Sequence, residues 1–202
     1  MKTLSLLFVG FACFSFLSKP VGLTDAERKS AIDLLQQTEN GVEQAIAGLS
    51  EAQLNFKPAP DKWSVSDCVK HIAVTEGGLW QMTDGVIKAA ANPEKRSEIK
   101  ATDEQVVQMI ESREHKVKTA PPMEPQNTPY KSMQEALASF KENRGKLIEY
   151  VKTTNDDLRN HVAILPMGTY DTYQMVLFIA AHSKRHTDQI AEVKADPNFP
   201  KN

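Results

Sequence analysis

An all-α fold is what this sequence predicts: a four-helix bundle with one short accessory helix. Three observations carry that expectation. Apolar residues recur at three- and four-residue spacing in four long stretches. Each stretch opens on a capping pattern, and proline or glycine interrupts the intervals between them. No segment sustains an alternation of apolar and polar residues, and Ile164-Leu165 is too short to count as a strand. The 9 glycines and the 7% aromatic content also suit helices better than a β-sandwich.

The chain opens on a segment read as separate from the fold. Met1-Lys2 is a basic start, Leu4 to Leu17 is almost unbroken apolar sequence, and Ser18-Lys19-Pro20-Val21-Gly22 turns polar. Residues 1–22 therefore read as a secretory signal peptide, and residues 23–202 as the folded domain. The apolar run is too short to span a bilayer, so no stable membrane insertion is expected. Apolar residues continue past Cys13 and the usual leucine is missing before it, which argues against a lipid anchor there. The expected location is secreted or periplasmic. Once the signal is removed Cys68 is the only cysteine, so no internal disulfide can form.

Thr24-Asp25-Ala26-Glu27 is a capping box that starts the first helix, which ends near Gly48 to Ser50. Pro58 and Pro60 make Glu51 to Lys62 a connector. Ser64-Val65-Ser66-Asp67 caps the second helix, with Trp63 placed to staple its start, and the helix runs to about Ala91. Thr102 opens a charged accessory helix to about Lys118. Lys118 to Tyr130 holds four prolines and reads as a long connection. Ser132 caps the third main helix, which ends around Thr153 and carries Arg144 as an exception on its apolar stripe. Asp171-Thr172-Tyr173-Gln174 opens the last main helix, and Asp196-Pro197 stops it. Four such helices in 202 residues make one bundle with a real core.

A net charge of -2 gives no footprint for nucleic acid or an acidic membrane surface. No nucleophile elbow, phosphate-cradling loop or dinucleotide fingerprint appears. The histidines are more informative. His182 and His186 stand one turn apart in the stripe Met175, Ile179, His182, His186, Ile190, Val193. Imidazoles in an apolar stripe must be satisfied by neighbours, by water or by a divalent metal. Among the remaining histidines, His115 sits among charges, His161 in a loop, and only His71 on the inward side of a main helix. His71, His182 and His186 would form a three-imidazole site with open positions. Such a set accepts zinc, nickel, iron or copper.

The run from Leu49 to Ser64, followed by His71, resembles the first half of a DinB-like (YfiT-like) four-helix bundle. His182-x-x-Arg185-His186-x-x-Gln189-Ile190 resembles its last helix. The resemblance spans roughly Thr24 to Lys194. It implies an up-down-down-up bundle with a long crossover, and a divalent metal on His71, His182 and His186. On activity it implies a metal-dependent hydrolase that uses a metal-bound water on a small-molecule substrate. A thiol S-transferase or isomerase, and a non-catalytic bundle stabilised by metal, are the alternatives. Gln189, one turn beyond His186, is a candidate to hold water or substrate. Glu76 is a weaker candidate as general base, since it turns off the His71 side. Asp67 is placed to orient His71 or merely to favour the helix dipole. Cys68 reads as core filling and Arg185 as an ion-pair partner. A homodimer is the base-rate expectation for assembly.

Overall fold

The computed structural model describes residues 22–114 and 117–201. Residues 1–21 of the segment expected to be a signal peptide, Cys13 among them, and His115 lie outside the described residues. Among the described residues six α-helices form: α1 (Asp25–Ile46), α2 (Glu51–Asn55), α3 (Val65–Lys88), α4 (Asp103–Glu111), α5 (Met133–Thr153) and α6 (Thr172–Lys194). The bundle is made by α1, α3, α5 and α6. Among the described residues no helix is long and apolar enough to cross a membrane.

The caps read from sequence are in place. Thr24, Ser50, Ser64 and Thr102 each accept a backbone N–H three residues on, and the residue at that position returns a bond to the cap backbone. Ser132 and Asp171 accept the third backbone N–H of α5 and α6.

Two apolar clusters fix the topology. One joins Ala31 and Leu35 of α1, Leu79 of α3, Leu147 and Val151 of α5, and Tyr173 to Ala180 of α6. The other joins Val42, the start of α3 (Val65 to Ala73), Ala136 and Phe140 of α5, and Ile190 and Val193 of α6. Helices α1 and α6 therefore run from the first cluster to the second, and α3 and α5 run back. The order is up-down-down-up. Helix α6 packs on both α1 and α3, and α5 packs on both from the other side. Because α3 and α5 are parallel, the chain between them must return along the bundle. That span is about 36 Å for the 24 residues of α3 at about 1.5 Å each.

Between the two clusters lies a polar layer centred on Arg144, which is fully buried. Its Nε and Nη2 fork onto the Glu76 carboxylate at 2.6 and 2.8 Å. Its Nη1 donates to Leu35 O and Thr38 Oγ1 at 2.7 and 2.8 Å, and Nη2 also reaches Ser183 Oγ at 2.9 Å. All five guanidinium N–H groups are satisfied, by partners from each of the other three bundle helices.

Three details depart from the sequence expectation. A β-hairpin forms where a plain loop was expected, pairing Val162–Leu165 (β1) with Gly168–Asp171 (β2). Strands of four residues carry too little periodicity to read. Their support comes from elsewhere: the Asn92 side chain accepts from Val162 N at 2.8 Å and donates to Val162 O at 3.0 Å. Gly168 sits at φ 147°, where a side chain would be strained. The connector after α1 contains the short α2, built on its own capping box. The accessory helix α4 ends at Glu111, well short of Lys118, and the proline-rich crossover folds into two 3-10 turns, Pro121–Met123 and Pro125–Asn127.

Gly145 stands exposed in the middle of α5, and a Cβ there would meet nothing within 4 Å. Gly145→Ala should therefore stabilise the bundle by about 0.5–1 kcal/mol. A urea midpoint that fails to rise would count against an unhindered site.

Candidate metal centre

The capping box at Ser64 and the N-cap at Asp171 start α3 and α6, and His71, His182 and His186 meet between the two helices. The Nε2 atom of His182 lies 3.3 Å from His71 Nε2 and 3.1 Å from His186 Nε2. Three nitrogens bound tetrahedrally at about 2.0–2.1 Å from one zinc would stand about 3.3 Å apart. The spacing fits a shared ion.

The outer nitrogens support the same reading. His71 Nδ1 lies 2.7 Å from the carbonyl of Met123. A carbonyl only accepts, so the ring proton is on Nδ1 and Nε2 keeps its lone pair. His186 Nδ1 lies 2.9 Å from Gln189 Oε1, with the same consequence. Two bare lone pairs thus converge with the third ring, and imidazole nitrogens suit a borderline divalent ion.

Burial keeps these rings neutral. His71 and His186 are 5% and 7% exposed, and His182 is half-buried. Burial lowers the pKa of His71, against a smaller opposing pull from the Met123 carbonyl. The His182 pKa is pushed down to about 3 by burial, then by His71 and Arg185. That of His186 falls well below its usual value through burial and the two neighbouring rings. The unfolded chain therefore takes up protons on these rings more readily than the metal-free folded chain. Their contribution is fully present above the ordinary value of 6.5 and is lost as pH falls below it. Metal-free protein should be less stable at pH 5 than at pH 7.5 by urea unfolding, and His182→Leu should shrink the difference. An unchanged difference would place the pH dependence elsewhere.

Trp63 walls the site. Its ring centroid lies 4.8 Å from that of His71 and 5.8 Å from that of His186, nearly parallel to the latter. His182 is the least buried of the three rings.

The structure sorts the other candidates. Glu76 is corrected: both its carboxylate oxygens are bound by Arg144, so it is a bundle brace and no general base at the histidines. Gln189 faces His186 as a hydrogen-bond acceptor. Asp67 caps Ser64 N at 3.0 Å and pairs with Lys57 at 2.9 Å, so it does not orient His71. Cys68 is fully buried among apolar neighbours, which push its thiol pKa up. His161 bonds the backbone carbonyls of Asp157 and Ala89. Among the described residues only the three histidines cluster as metal donors.

Sequence reasoning missed Met123 and Arg113. A backbone carbonyl leaves no mark in a sequence. The pair Gly77-Gly78 in mid-helix is the one available signal: a Cβ on Gly78 would lie 3.1 Å from the Met123 methyl, so the bare backbone there seats Met123.

Residues 34–190 match the sequence profile of the DinB superfamily. The chain belongs to that superfamily. The uncharacterized protein YuaE of Bacillus subtilis (strain 168) is 25% identical over 154 residues, 74% of this chain and 88% of its own. A solved structure, YfiT from Bacillus subtilis, superposes with a TM-score of 0.59 at 14% identity, over 91% of this chain and 94% of its own. YfiT is described as a probable metal-dependent hydrolase with an unusual four-helix bundle topology.

Proposed function

We propose that this chain is an exported metal-dependent hydrolase whose divalent ion is held by His71, His182 and His186. The observation that carries the reading is the convergence of three Nε2 atoms, two of them on rings whose Nδ1 proton is fixed by an acceptor. The description given to YfiT supports the reaction class. A bound divalent ion would supply Lewis-acid polarisation of a substrate carbonyl or phosphoryl group and activation of water. The chain's own residues do the rest. Met123 and Gln189 hold two of the rings in the ligating tautomer. Trp63 shields the paired rings from water on one side. His182, the least buried of the three rings, lies on the side from which a small substrate would approach. The apolar segment before residue 23 supports export, and the mass of the mature protein from its host should place its start between Ala12 and Gly22.

Trp63 provides a direct test. The chain has 2 tryptophans, and Trp80 packs instead against Tyr150. Titration with cobalt(II) or nickel(II) should quench the Trp63 emission at one ion per chain, and His71→Ala should abolish the effect. The metal-loaded protein should hydrolyse at least one compound in a panel of esters, amides and phosphate esters, and lose that activity on chelation. Bound metal with no turnover, and no change in the cobalt spectrum with any panel member, would overturn the enzymatic reading.

A further inference from the structure

Arg113 follows α4, far in sequence from any ligand, yet it reaches the metal centre. Its Nε and Nη2 fork onto the Glu192 carboxylate of α6 at 2.9 and 2.7 Å. The fork leaves Nη1 facing the Gln189 amide oxygen, at 3.4 Å. The same oxygen accepts the Nδ1 proton of His186 at 2.9 Å. A Gln amide has two faces of nearly equal shape, one that accepts and one that donates. Arg113 is donor-only, so it favours the orientation in which the oxygen faces both groups. In the flipped orientation the amide NH2 would meet His186 Nδ1. The ring proton would then move to Nε2, and the lone pair aimed at His71 and His182 would be lost.

We propose that Arg113 is a positioning residue of the metal centre, which sets the tautomer of His186 by locking the Gln189 amide. This inference rests on the metal-site reading above. Met123 does the same for His71 without an intermediary. Two of the three ligands are thus oriented from the stretch between α4 and α5, which the parallel pair α3 and α5 requires in any case. Loss of an outer partner of a ligating histidine typically weakens metal binding about 10–100-fold.

The test uses zinc chloride with a competing chelator dye, and imidazole nitrogen shifts of metal-free protein labelled with 15N. Arg113→Met should raise the zinc Kd about 10–100-fold. It should also convert the His186 signal from the Nδ1–H form to a mixture. Gln189→Glu, which accepts on both oxygens, should recover zinc affinity and the Nδ1–H form in the Arg113→Met background. A purely structural role for Arg113 would not be rescued in this way. Should Arg113→Met not fold, Arg113→Lys keeps a donor without the fork and should give an intermediate loss. Wild-type affinity in Arg113→Met, or failure of Gln189→Glu to rescue, overturns the proposal and leaves the three-histidine site standing. Wild-type protein that binds no zinc sinks the site instead. The His186 tautomer in the metal-free variants then still decides whether Arg113 sets it.

Discussion

Arg144→Met is expected to cost about 3–5 kcal/mol of folding stability, as removing one member of a buried ion pair does. The cost comes less from the lost bonds than from what stays behind. Glu76 would keep a carboxylate at 2% exposure with its two forked bonds gone, and Leu35 O, Thr38 and Ser183 would each lose a donor. Burial already pushes the Glu76 pKa up, and Arg144 is what opposes it. The double variant Arg144→Met with Glu76→Leu should recover a large part of the loss, since an apolar replacement of a buried pair is often near neutral. Urea unfolding of the two singles and the double gives the coupling directly. A single-variant loss under about 1 kcal/mol would mean that the layer is not dry, and the account of the brace would fall with it.

Metal removal should rank second in size. At a free ion concentration about 1,000 times Kd, binding adds about 4.1 kcal/mol to folding. For a chain of this length that is about 8–16 °C in Tm, at about 2–4 °C per kcal/mol. Chelation of wild-type protein should give this drop, whereas His186→Ala should melt at the lower temperature with or without added metal. Equal melting of loaded and chelated wild type would show that the three imidazoles hold no ion.

Much of the architecture was legible because helices announce themselves. Caps at Thr24, Ser64, Ser132 and Asp171, and stripes such as Met175 to Val193, fix the ends and the inner faces of the four long elements. The place of His71 followed from its stripe on α3. What escaped was everything built by few residues at long range. The β1–β2 hairpin depends on Asn92, 70 positions away from Val162. Arg144 is an exception in an apolar stripe, because its four partner residues lie on three other helices. The sequence around Trp63 marks only a helix staple, and its place against the His71 and His186 rings depends on how α3 meets α6.

The distance along the chain between His71 and His182, 111 residues, has a consequence for how the protein comes into being. No metal can be gathered while the polypeptide is still emerging, since the last helix supplies two of the three nitrogens. The loop to be closed is long, and its entropy must be offset by the packing of α6 before the site exists. Any ion these rings hold is therefore taken up only after the last helix has packed.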